Sequence, residues 1–274
     1  MKRPHFVSHG VRAKKSLGQN FLMHARIAER IADVAQIPET GTVLEIGPGT
    51  GKLTKPLLVR AARVIAVEAD AELLSRLEVT FAKEVVEGRC KLIHGDIRTF
   101  DLAHLQGPYQ LVANIPYYLT GEILRQFLSA KKKPTSMTLL VQKEVAERIA
   151  RSKKESLLSL SVKIYGTPKY EFSVPRGAFT PAPNVDSAVL SIQNIRNDVF
   201  SSPEQEAFFF DVLHAGFAHK RKRLAGNLSV FGTRDEVREA LISAGIAENA
   251  RAEDVPLASW RELVTCLARK RSVR

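Results

Sequence analysis

Between residues 42 and 142 the chain repeats one unit: a short apolar run, a turn, then a stretch with helical spacing. The strand-like runs cover 42–46, 63–68, 91–95, 109–113 and 136–142. Helices are expected over 26–36, 52–60, 71–84, 121–130 and 143–149. Strands that lack polar alternation are buried on both faces, and strands joined through helices run parallel. The spacing therefore predicts an open α/β sheet. A further strand pair, 170–174 and 185–192, brackets the proline-stiffened segment Phe179-Thr-Pro-Ala-Pro183. Near residue 195 the pattern changes. Ser202-Pro203-Glu204-Gln205 and Thr233-Arg-Asp-Glu236 read as helix starts, and a third helix is expected over 257–269. Two domains follow, an α/β domain over 1–197 and a small all-helical domain over 198–274.

Charge narrows the partners. The 274 residues carry 41 Lys+Arg against 29 Asp+Glu, a formal net charge of +12. Residues 1–28 hold Lys2, Arg3, Arg12, Lys14, Lys15 and Arg26 and no acid, and later clusters lie at 131–133, 153–154, 220–223 and 269–271. A clustered basic excess points to a polyanion. The longest apolar runs are far too short to span a bilayer, which removes an integral membrane protein. Cys90 and Cys266 form neither a disulfide framework nor a metal-ligand pattern, which fits a reducing cytosol. His24, His94, His214 and His219 have no metal-site spacing either. A cytoplasmic protein without metal is expected.

The chemistry is carried at the ends of the expected strands. Glu45-Ile-Gly47-Pro-Gly49-Thr-Gly51 follows the first strand and opens a helix, so its backbone can pass close to a ligand. A dinucleotide fingerprint needs its third glycine at position 52, where Lys52 stands. G-x-G-x-G after an acidic residue suits S-adenosylmethionine, which has no pyrophosphate to cradle. Glu68 ends the second strand, where a carboxylate accepts both ribose hydroxyls. Asp96 ends the third, in reach of an adenine amine, while Asp70 reads as a helix cap. Asn114-Ile-Pro-Tyr117 ends the fourth. An adenine exocyclic amine is a poor nucleophile because its lone pair is delocalised into the ring. The Asn114 side-chain oxygen and the Ile115 carbonyl each accept one N–H, which favours a pyramidal nitrogen. The Tyr117 ring offers a face to an unstacked base. Phe179 is expected to supply the opposite face.

With these residues in place, the chain resembles the ribosomal RNA adenine N6-dimethyltransferase family in its small-subunit, KsgA-type form. The likeness runs through Lys15-Ser-Leu-Gly-Gln-Asn-Phe-Leu22, Glu-Ile-Gly-Pro-Gly-Thr-Gly51, Asn-Ile-Pro-Tyr117 and Leu140-Val-Gln-Lys-Glu-Val-Ala-Glu-Arg148. It continues through Phe-Thr-Pro-Ala-Pro-Asn-Val-Asp-Ser-Ala188 to His219-Lys-Arg-Lys-Arg-Leu-Ala-Gly-Asn-Leu228. The resemblance implies a Rossmann-like S-adenosylmethionine-dependent methyltransferase sheet followed by a helical RNA-binding domain. The basic segment 1–25 then belongs to the site. Cofactor contacts are expected at Asn20, Leu22, Gly47, Gly49, Gly51, Glu68, Asp96 and Asn114, and an adenine pocket at Asn114, Tyr117 and Phe179. Lys14, Lys15, Lys220, Arg221, Lys222 and Arg223 are expected to grip rRNA phosphates. The implied reaction puts two methyls on each of two adjacent adenosines near the 3′ end of small-subunit (16S) rRNA, late in maturation of the small ribosomal subunit. Loss of that modification confers kasugamycin resistance. The enzyme is expected to act as a monomer.

Three other readings compete. A large-subunit dimethylase of the macrolide-resistance type shares the chemistry and the Ile at 115, but the runs around 186 and 222 favour the small subunit. A non-catalytic RNA-binding assembly factor would need neither Asn-Ile-Pro-Tyr nor an acidic ribose anchor. A nicotinamide dehydrogenase is disfavoured by Lys52 and by the charge.

Overall fold

The computed structural model describes residues 6–7 and 11–272, with the side chains of 13–270. Lys2 and Arg3 lie outside the described residues, as do the side chains of Arg12 and Arg271. The chain divides into two compact units, one holding Ala150 and all before it together with 166–195, the other 151–165 together with 196 onward.

The first unit is built on strands β1 (Thr42–Ile46), β2 (Arg63–Glu68), β3 (Cys90–His94), β4 (Gln110–Asn114), β5 (Ser136–Gln142), β6 (Thr167–Val174) and β7 (Ser187–Gln193). They form a seven-stranded sheet in the order β3-β2-β1-β4-β5-β7-β6. The first five strands pair in parallel, and β7 runs antiparallel to both β5 and β6. Val43, Leu44, Val64, Ile65, Leu111 and Val112 are fully buried, which is why their strands read as unbroken apolar runs. Helices α1 (Ala25–Val34), α2 (Thr54–Arg60), α3 (Ala71–Thr80), α4 (Ala82–Val86), α5 (Thr120–Leu128) and α6 (Lys143–Ala150) belong to the same unit. This is the open α/β sheet that the spacing predicts.

Two local departures from the sequence pattern have clear causes. The single helix expected over 71–84 is broken at Phe81, whose φ of −110° and ψ of 25° leave the helical region. The aromatic ring there packs beneath the glycine loop instead of continuing a helix face. The segment before α1 also forms structure of its own: Phe21–Leu22 pairs antiparallel with Phe179–Thr180, a long-range pairing that no local pattern announces.

The second unit contains α7 (Leu157–Lys163), α8 (Pro203–Phe217), α9 (Leu224–Asn227), α10 (Arg234–Ser243) and α11 (Leu257–Ser272). It takes residues 151–165, which the sequence pattern assigned to 1–197. Helix α7 went unanticipated because its capping box pairs Ser156 with Ser159 rather than with Glu or Gln. Ser202 caps α8 as expected, accepting from the Gln205 N–H, while the Gln205 amide oxygen accepts from the Ser201 N–H at 2.7 Å. Trp260 is fully buried and stacks on Phe217 with ring centroids 5.8 Å apart.

Gly216 exists for that indole. A Cβ at 216 would lie 2.4 Å from Trp260 Cη2, and the stacked ring has no room to withdraw. Gly216→Ala gains up to about 1 kcal/mol of helix propensity but overpacks by about 1–3 kcal/mol. A net loss of up to about 2 kcal/mol is expected, read as a lower urea midpoint in a Trp-fluorescence unfolding curve.

Candidate active site

β1 lies between β2 and β4, so chain connections leave it in opposite directions and a crevice opens at the strands' carboxyl ends. The strand-end motifs meet there. The cleft is lined by Gly47, Gly49, Glu68, Asp96, Asn114 and Tyr117, together with Asn20 and Leu22 from the segment preceding α1.

The glycine loop divides into two roles. Gly47 has φ +62°, and a Cβ built on it would meet nothing within 4 Å, so its missing side chain leaves open room for a ligand. Gly51 has φ +77° but does not line the cleft. A Cβ there would sit 2.7 Å from Phe81 Cε2, so the bare glycine is needed to seat the loop on the Phe81 ring, a packing role beside the expected cofactor contact. Gly49 contributes its N–H, which donates to Glu68 Oε2 at 3.0 Å. The other Glu68 oxygen accepts from the Asp70 N–H at 2.9 Å. Glu68 is only 5% exposed, and burial raises its carboxyl above the usual range despite these bonds. The carboxylate keeps acceptor capacity for a further donor.

Asp96 caps the short turn Ile97–Thr99 and is clamped by Arg98, whose Nη2 lies 2.5 Å from Oδ2. That guanidinium holds the Asp96 carboxyl below its ordinary range. An adenine amine would have to share this carboxylate with Arg98. Asn114 is more open. Its Nδ2 donates to the Asn20 carbonyl at 3.1 Å, and its Oδ1 takes no hydrogen bond among the described residues. The bond fixes which end of the amide is the acceptor.

Tyr117 is half-buried, and its hydroxyl shares a 2.6 Å hydrogen bond with Ser187 at the start of β7. Burial pushes its phenol pKa up. Phe179 does not join it at the cleft. Its strand pairing with Leu22 turns the ring inward, where it is 3% exposed in the cluster that also contains Leu22 and Ala178. As placed, it offers no open face to a base.

The basic residues also part company. Lys14 Nζ lies 2.6 Å from the Asp70 carboxylate, so its charge is already paired within the unit rather than free for phosphate. Lys15 is exposed in the turn Lys15–Leu17. In the second unit Lys220, Arg221, Lys222 and Arg223 are all exposed and make no ion pair among the described residues. They sit on the turn after α8. Asn227 Nδ2 holds that turn by donating to the Gly216 and His219 carbonyls at 2.6 and 3.2 Å.

The sequence reading passed over Tyr118, Ser187 and Arg98. Tyr118 is 62% exposed and lines the cleft beside Gly18, an exposure that an aromatic dipeptide does not reveal. Ser187 stood inside a quoted motif, but its partner is 70 residues away. No group of three or more His, Cys, Asp or Glu that could hold a metal ion occurs among the described residues, and no helix among them is long and apolar enough to cross a membrane.

One buried group has a measurable consequence. Glu45 is 1% exposed, and burial pushes its carboxyl up to about 8. Its Oε2 is buried without a hydrogen-bond partner among the described residues, and the Thr54 hydroxyl beside the carboxyl offsets only part of the cost of burial. Between pH 4.5 and about 8 the folded protein keeps a proton that the unfolded chain has released. This contribution to stability is complete below 4.5 and is lost as pH rises, by about 1.4 kcal/mol per pH unit. Glu45→Gln removes it. Urea unfolding of both proteins over that window is expected to show the variant gaining on wild type as pH rises, and parallel curves would refute the burial argument.

Comparison with known proteins shows the family. Residues 10–269 match the family model described as ribosomal RNA adenine dimethylase. A protein of Dehalococcoides mccartyi named ribosomal RNA small subunit methyltransferase A is 42% identical over 259 residues, covering 92% of this chain and 88% of its own. A Streptococcus pneumoniae protein of the same name is 40% identical, covering 94% and 93%. Among solved structures, the 23S rRNA methyltransferase ErmE aligns with TM-score 0.76 at 25% identity, over 91% of this chain and all of that one. A dimethyladenosine transferase from Plasmodium falciparum aligns with TM-score 0.79 at 22% identity over 91% and 98%, a likeness of fold. With a family match across nearly its whole length and relatives at 40–42% identity, the chain belongs to the ribosomal RNA adenine dimethylase family.

Proposed function

We propose that this protein binds S-adenosylmethionine in the cleft and dimethylates N6 of two adjacent adenosines near the 3′ end of 16S rRNA, acting on the immature small subunit. The observation that carries the reading is the Asn114 amide, anchored through Nδ2 with Oδ1 left as an acceptor in the cleft at the carboxyl ends of the strands. The target rRNA rests on the small-subunit methyltransferases at 40–42% identity.

When bound, S-adenosylmethionine supplies a methyl group activated on a sulfonium. Glu68 would accept from the ribose hydroxyls, Gly47 leaves room, and Asn20, Leu22 and Gly49 complete the walls. Asn114 Oδ1 and the Ile115 carbonyl each accept one N–H of the target amine and hold its lone pair out of the ring plane. The Tyr117 ring carries the unstacked base at roughly 1–3 kcal/mol, and Ser187 keeps that ring from turning. In this reading Lys15 and the exposed residues 220–223 contact phosphates, which position RNA without reading its bases.

Primer extension on 16S rRNA tests the reaction, because dimethyladenine blocks reverse transcriptase. A deletion strain is expected to lose the stop near the 3′ end, and the wild-type gene to restore it. Asn114→Ala is expected not to restore it, with kcat lowered by roughly 10²–10³-fold and cofactor affinity changed far less. Tyr117→Phe keeps the ring and loses one hydrogen bond, so it should be mild, whereas Tyr117→Ala should be severe. A stop lost from 23S rRNA instead would assign the large subunit. Full activity of Tyr117→Ala would end the stacking role.

The basic turn is tested separately. Lys220, Lys222 and Arg223 changed together to Glu should weaken binding to every RNA tested while leaving cofactor affinity unaltered. The slope of log K against log salt should become shallower by about 0.7–0.9 for each phosphate that the protein no longer neutralises. An unchanged slope means that the run is a solvated face.

A further inference from the structure

Asp70 makes more bonds than a helix cap needs. It caps α3, with Oδ1 accepting from the Glu72 N–H at 3.1 Å. The same carboxylate, 2% exposed, takes Lys14 Nζ at 2.6 Å and Gln19 Nε2 at 3.1 Å, from more than fifty residues earlier in the chain. The Lys14 N–H in turn donates to Gln19 Oε1 at 2.7 Å, so residues 14 and 19 close a loop around the carboxylate. Burial alone would raise its pKa, yet the bonds from Lys14 and Gln19 hold it below the ordinary range. Between them lies the turn Lys15–Leu17, closed by Gly18 at φ +61°. The next residue after Gln19 is Asn20, and the Asn20 carbonyl is the acceptor that orients Asn114.

We propose that Asp70 is a positioning residue for methyl transfer: by pinning Lys14 and Gln19 it sets the Asn20 carbonyl, which keeps the Asn114 oxygen turned toward the target amine. The proposal rests on the reading of Asn114 given above. Without the pin, the amide is free to turn over and present its NH₂ to an amine that needs an acceptor. The same pin reaches the cofactor side, because the Asp70 N–H donates to Glu68.

Asp70→Asn keeps the helix cap, since Asn caps as well as Asp, and removes the charge that holds Lys14. It is expected to lower kcat by roughly ten- to a hundredfold, with KM for RNA and for S-adenosylmethionine little changed. Lys14→Met and Gln19→Leu should share the loss, and Lys14→Arg should restore most of the activity. In an Asn114→Ala background Asp70→Asn should cost nothing further, because both changes remove one function. A purely structural role would instead give independent, multiplying losses. In the cofactor-free protein, Asp70→Asn should raise hydrogen exchange at residues 19–22 and leave β1 and β4 protected. Wild-type kcat in Asp70→Asn, or a loss of equal factor with and without Asn114, overturns the proposal. If Asp70→Asn fails to fold, Lys14→Met and Gln19→Leu carry the same test. Failure of wild type to methylate 16S rRNA would sink the functional reading instead, a different result.

Discussion

One buried carboxylate joins the parts of the cleft that come from separate stretches of chain. Glu68 stands at the end of β2, accepts from Gly49 in the loop after β1, and accepts from Asp70 at the cap of α3. A carboxylate taken out of water is costly unless hydrogen-bonded, and here backbone N–H groups offset part of that cost. The rest remains visible as a raised pKa. What the arrangement provides in return is rigidity at the wall of the cleft, with acceptor capacity still to spare. Loop, strand and helix cannot shift independently without breaking one of these bonds.

Like charges would otherwise crowd this corner, since Glu68 and Asp70 are two residues apart and Glu45 lies close enough to interact with Glu68. The structure separates them by protonation state and by pairing. Glu45 is buried without a cation and holds its proton to about pH 8. Asp70 is charged because Lys14 sits on it. Lys14 thus serves the interior electrostatics of the first unit, whereas the four cations at 220–223 make no ion pair among the described residues and stay in water. Two basic clusters that look alike in composition therefore do different physical work.

The sequence by itself determined the α/β class, the parallel order of the early strands, and the placement of Gly47, Glu68, Asp96 and Asn114 at strand ends. It could do so because burial on both faces writes an apolar run directly into local sequence, and because open α/β sheets bind at their carboxyl ends. The helix starts at Ser202 and Thr233 were legible for the same local reason, a capping side chain within a few residues of its N–H.

Tertiary structure alone decided which of those residues face the cleft. Gly51 packs on Phe81, thirty residues on, whose ring fills the space a Cβ would need. Phe179 turned into the core because its strand pairs with Leu22, far away in the chain. Lys14 was claimed by Asp70, and the Asn114 amide was oriented by Asn20 across a separation of 94 residues. Each outcome depends on a partner whose distance along the chain carries no periodic signal. Hydrophobic period and capping act over a few residues and are written locally, but hydrogen bonds and ring contacts between distant segments exist only once the sheet has brought those segments together.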